Sequence, residues 1–182
     1  MDGSAQAIVP GNALDRVLDV PERFEDFYRR ELRGLVAFAR ALSGPVYAED
    51  IAQESMLAAY RKWETVRTLD APNAWVRRVC ANRSVSVVRR RVVEARALVR
   101  LGSRAEPAQE NAPSTGSDQF WTAVRRLPKR QAQVIALHYV YDLSVADIAT
   151  TLGCADGTVK VHLARARAAL AARFDAADED ES

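Results

Sequence analysis

Thr158, Lys160, His162, Arg165 and Arg167 place hydrogen-bond donors along one short stretch of sequence. That chemistry is recognition of phosphates and base edges rather than bond-breaking. Val159 and Leu163, four residues apart, turn the other side of a helix inward. Thr158, Lys160, Val161, His162 and Arg165 are left on its outer face and edges. Immediately before it, Val145, Ile148, Ala149 and Leu152 form an apolar stripe on a shorter helix. Ser144 suits the N-cap of that helix, and Gly153 supplies a backbone that tolerates positive φ at the turn. Small Ala149 allows the two helices to cross closely. The segment Leu143–Leu163 therefore predicts a helix-turn-helix whose second helix fits the major groove. A plain helical hairpin shares the apolar spacing but explains neither the cap, the turn glycine nor the exposed cations. Arg167 fits a phosphate contact and a solvated position equally well. Cys154 fits as a small residue in the turn.

The elements that must position these residues read as helices throughout. Phe24, Phe27, Tyr28, Leu35, Phe38, Ala39 and Leu42 have largely helical spacing, and Ser43-Gly44-Pro45 ends the run. A second helix carries Ala48, Ile51, Ala52, Ser55, Met56, Ala59, Tyr60 and Trp63. A loop over 64–73 leads to an Arg-rich helix from about Asn73 to Arg91, with Pro72 at its start. The stretch LGSRAEPAQENAPSTGSD, residues 101–118, has linker composition. Beyond it, Phe120, Trp121, Val124 and Leu127 form a helix stopped by Pro128, and Val134 to Val140 another. HYVYDLSV is the best candidate for a strand, and helix explains it as well. The last helix runs from about Asp156 to Phe174. The expected fold is all-α: two small helical domains joined by a flexible linker, the C-terminal one a helix-turn-helix. The expected layout is a flexible lead at 1–20, a first domain at 21–96, a linker at 97–118, a second domain at 119–174 and an acidic tail at 175–182.

Charge supports two contacts with a polyanion. The 182 residues carry a net charge of +2, but it is unevenly spread. Residues 75–104 hold nine Arg against one Glu, and residues 119–174 hold eight Arg/Lys against three Asp. The last eight residues hold five acids. Two basic blocks on different predicted domains favour nucleic acid over a merely solvated surface. No apolar run is long enough to span a membrane, and the acidic start lacks the apolar core of a secretory leader, so the expected location is the cytoplasm. Cys80 and Cys154 are too few and too far apart for a disulfide framework or a zinc site. No cofactor is expected. No nucleophile–base set, phosphate-cradling Gly loop or metal cluster points to an enzyme.

Between the two charged blocks, YAEDIAQESMLAAYRKWETVRTLDAPNAWVRRVCANRSVSVVRRR (47–91) is the decisive stretch. Glu49-Asp50-Ile51-Ala52-Gln53-Glu54, Tyr60-Arg61-Lys62-Trp63, Ala71-Pro72 and Trp75 to Arg83 come in order, followed by Leu127-Pro128, Gly157-Thr158-Val159-Lys160 and Arg165-Ala166-Arg167. In this combination the chain resembles the extracytoplasmic-function group of sigma-70 family sigma factors, over about residues 22–173. The resemblance implies a sigma factor that binds core RNA polymerase and directs promoter recognition and DNA opening. It implies that Asp50, Gln53 and Glu54 dock on the polymerase largest subunit. They share one polar face of a helix, which suits a partner helix carrying Arg, although spacing alone fits a solvated face.

The resemblance further implies that Tyr60, Trp63, Trp75, Arg77, Arg78, Asn82 and Arg83 open and read the −10 element of promoter DNA, with Asn82 at a base edge and Arg77 and Arg78 at phosphates. An unpaired base needs an aromatic platform, and Arg follows the backbone. Trp63 and Trp75 fit core packing as well. The helix-turn-helix would read the −35 element, and an anti-sigma factor is a further partner the resemblance allows. Val161-His162 departs from the family pattern, where Ser and Arg are common. Thr-Val-Lys-Val-His is similar to LuxR-type regulators instead. A free-standing LuxR-like regulator with an unrelated helical sensor domain would explain the last third of the chain, but not Asp50–Glu54 or the Trp75–Arg83 helix.

Overall fold

The computed structural model describes residues 22–100 and 116–180, and every element in them is an α-helix. The expected lead and most of the expected linker lie outside the described residues. The N-terminal half holds α1 (Phe24–Ser43), α2 (Pro45–Arg61), a single turn α3 (Trp63–Val66) and α4 (Pro72–Arg100). The C-terminal half holds α5 (Gly116–Arg125), α6 (Lys129–Tyr141), α7 (Val145–Leu152) and α8 (Asp156–Asp180).

Helix starts and stops follow local chemistry. Gly44 separates α1 from α2, whose first residue is Pro45. Pro128 precedes α6. Two helices run further than their apolar pattern suggests. α4 passes Arg91 to reach Arg100, and α8 passes Phe174 to reach Asp180, into the expected acidic tail. No Pro or Gly interrupts the sequence between Pro72 and Gly102, or after Gly157, so nothing breaks either helix. Residues 97–100 and 116–118, expected in the linker, are helical. Within the expected loop at 64–73, α3 forms one helical turn.

α1, α2 and α4 pack on one another through Phe27, Leu35, Phe38, Ile51, Met56, Val76 and Cys80, all 3% exposed or less. In the C-terminal half, α6 is buried at six successive positions, Ala132 to Leu137. A helix buried all round needs neighbours on every side. α6 has them in α5, α7, α8 and, from the other half, α1. The two halves thus share a continuous apolar core.

Candidate nucleic-acid interface

The helix-turn-helix is built by its caps. Ser144 Oγ accepts from the Asp147 N–H at 3.2 Å and donates to Asp147 Oδ2 at 2.6 Å, satisfying an orphan donor at the start of α7. Gly153 ends α7 at φ 64°, in the left-handed region, and its N–H donates to Thr150 O. Ile148, Ala149 and Leu152 then meet Val159, Leu163, Ala166 and Leu170 in the core. Thr158, Lys160, Val161 and Arg165 are exposed on the outer side of α8. His162 is half-buried, with Nδ1 enclosed and unpartnered. Arg167 is exposed but engaged: it donates to His138 Nε2 at 3.2 Å. Because Arg only donates, that nitrogen accepts. The other, Nδ1, lies 3.2 Å from Leu143 O and carries the proton.

The second group of candidates gathers on α2, α3 and α4. Tyr60 is 60% exposed and Trp63 half-buried. Both pack against Phe24, Tyr60 tilted and Trp63 edge-on, at ring centroid distances of 5.0 and 5.4 Å, and Trp63 also packs on Phe27. Trp75 is half-buried against the core. Trp63 and Trp75 therefore have packing roles. Tyr60 alone of the three presents most of its ring to solvent.

Arg77, Arg78 and Asn82 of α4 face the C-terminal half. Arg77 has 13% of its side chain exposed; it donates to Glu31 Oε2 at 3.2 Å, and its guanidinium lies 4.0 Å from the centre of the Tyr141 ring. That geometry is a cation–π contact inside an ion pair. Burial pushes the Tyr141 hydroxyl well above its ordinary range, so the ring stays neutral there. The guanidinium of Arg78 reaches over Gly153, whose missing Cβ would stand 2.8 Å from it. Asn82 Oδ1 accepts from Gln133 Nε2 at 3.4 Å, and Ala81 O accepts from the same amide at 3.2 Å. Arg77, expected at a phosphate, is here part of the seam between the halves. Arg83, 40% exposed, is ion-paired with Glu54 of α2.

The expected docking residues lie together. Asp50, Gln53 and Glu54 are exposed and line a groove of about 590 Å³ with Leu57, Tyr60 and Phe24. Acidic and apolar groups side by side suit an amphipathic helix bearing cations. The Glu54–Arg83 pair links this groove to the face of α4.

Three residues of the seam are absent from the sequence reading: Glu31, Gln133 and Tyr141. Gln133 carried a usable signal. It is a polar residue between Ala132 and Val134, at the head of the apolar run Val134–Leu137, and a buried amide demands partners. Glu31 and Tyr141 carried none, because their partners are 46 and 64 residues away in sequence and nothing local marks such pairs.

Comparison with known proteins agrees with this layout. Residues 27–93 match the family model for sigma-70 region 2, and residues 117–170 match that for sigma-70, region 4. The ECF RNA polymerase sigma factor SigM of Mycobacterium tuberculosis is 33% identical over 149 residues, covering 81% of this chain and 75% of its own. The RNA polymerase sigma-E factor of Streptomyces coelicolor is 30% identical over 160 residues, 86% of this chain and 89% of its own. Among solved structures, the sigma factor RpoE of Bartonella quintana, in complex with the anti-sigma factor NepR, superposes with a TM-score of 0.64 at 30% identity, covering 81% and 93% of the two chains. CnrH, in complex with the cytosolic domain of CnrY, gives 0.60 at 23% identity, over 84% and 88%, and shares the fold. The region 2 match covers the part that a LuxR-like reading leaves unexplained. The chain is thus a non-enzymatic RNA polymerase sigma factor of the extracytoplasmic-function group, which directs polymerase to promoters in transcription initiation.

Proposed function

We propose that the two halves divide the promoter: α8 reads the −35 element as duplex, and α4 with Tyr60 reads the −10 element as it opens. The observation that carries this is the free outer face of α8, where Thr158, Lys160, Val161 and Arg165 stand exposed on a capped helix-turn-helix. Lys160 and Arg165 neutralise phosphates and hold the helix in register, the usual division between positioning and reading contacts. Asn82 is the base-edge reader of α4. Asp50, Gln53 and Glu54 dock on core polymerase in the cytoplasm. Because Arg83 is paired with Glu54, docking through Glu54 releases Arg83 toward DNA. An anti-sigma factor belongs to the same reading, by extension from RpoE.

Holoenzyme reconstituted from this chain and core polymerase tests these assignments on a promoter selected from a library. Lys160→Ala and Arg165→Ala should each weaken −35 binding and flatten its dependence on salt by roughly one phosphate contact. Unchanged affinity and salt slope in both variants would sink the assigned face. Asn82→Ala should impair open-complex formation more than polymerase binding. Equal loss of the two would mark a docking or folding defect instead.

A further inference from the structure

The crest of the recognition helix carries almost no polar chemistry. Val159, Leu163, Ala166 and Leu170 are buried and define the inward side of α8. At about 100° per residue, Val161 stands roughly opposite that stripe. It is 47% exposed. Its neighbours along the crest are Gly157, Ala164 and Ala168, all exposed and all small. The donors, Thr158, Lys160 and Arg165, flank this line. A lone exposed apolar side chain is ordinary on a protein surface. At the outermost point of a groove-reading helix, with small residues around it, it is the first group to meet the floor of the groove.

Gly157 supplies a second observation. It lies in the first turn of α8, its φ is not positive, and a Cβ added there would meet nothing within 4 Å. The fold does not require glycine here, and alanine would favour the helix. Glycine at such a point suits close approach of the backbone to a ligand.

We infer that Val161 reads the C5-methyl group of a thymine in the −35 element, with Gly157 letting the helix seat deeply enough for that contact. The major groove presents the methyl only at thymine, and an apolar side chain is the group that recognises it. This rests on α8 being the −35 reader, and it names the base that the Val161-His162 departure selects.

The test uses full-length protein in holoenzyme on its selected promoter, with each −35 thymine of either strand replaced in turn by deoxyuridine. One position should lose about fourfold in affinity, the value of one buried methyl-sized group. Val161→Ala should abolish sensitivity at that position while the holoenzyme still depends on Lys160 and Arg165. Gly157→Ala should weaken binding to the same element while leaving the thermal midpoint unchanged or higher. A flat deoxyuridine scan, or a sensitive position that survives Val161→Ala, overturns the inference and leaves the −35 assignment standing. A selected −35 element without A·T pairs overturns it too. If Lys160→Ala and Arg165→Ala are also silent, both readings fall together.

Discussion

At the scale of single residues, the two cysteines show how environment divides one chemistry. Cys80 is fully buried between α1 and α4, and burial pushes its thiol up to about 12. Cys154 is half-exposed in the turn between α7 and α8. Thiolate, not thiol, is the nucleophile, and it must be reachable. A thiol reagent should therefore label one cysteine per native chain, Cys154, and two after denaturation. Labelling of both in the native protein would show that α4 leaves α1 readily. Individual side chains were the least legible level of the sequence. The resemblance implies a phosphate contact for Arg77, and in the fold Glu31 and Tyr141 hold its guanidinium. Arg167 fits a phosphate contact and a solvated position equally well in the sequence, and in the fold it is tied to His138. Both partners are distant in sequence, and local spacing carries no trace of them.

At the scale of elements, the sequence was most legible where caps and periodicity agree. Ser144 and Gly153 delimit α7 as their residue types dictate, and the α7 and α8 stripes meet as their spacing requires. Where punctuation is missing the ends were not legible, as α4 and α8 show by running on. The single turn α3 has too few residues to show a period. Ser144→Ala removes both hydrogen bonds at the start of α7 and should cost about 1 kcal/mol, read by urea denaturation. α7 is only eight residues long, and tertiary packing carries most of a short helix. The same variant should thus weaken −35 binding only as far as it unfolds the motif. A large loss of DNA affinity at full stability would give Ser144 a direct DNA contact.

At the scale of the molecule, two domains and their order were legible, and their union was not. The seam rests on Arg77 under Tyr141, on Gln133 against Ala81 and Asn82, and on Gly34, where a Cβ would stand 2.9 Å from the Tyr141 ring. It engages the base-edge candidate Asn82 while the outer face of α8 stays open. On the base-edge role proposed for Asn82, the halves are expected to part before the −10 element is read. Gly34→Ala inserts a wedge at the seam without touching any proposed DNA contact, and it raises the helical propensity of α1 by about 1 kcal/mol. The free variant should show a larger radius of gyration by X-ray scattering and stronger binding to a single-stranded −10 oligonucleotide. If the dimensions grow and that binding does not, the seam is not what withholds α4.

The burial of α6 on every side has a consequence for the life of the protein in the cell. One wall of its enclosure, α1, belongs to the other half. A chain that parts its halves in free solution turns an apolar strip of α6 to water, where chaperones and proteases find it. Only two conditions shelter that strip: closure of the chain on itself, and a partner that covers it. Molecules caught between those conditions are expected to be the ones removed, and turnover, followed by pulse-chase, should then track the fraction left uncovered rather than the total made.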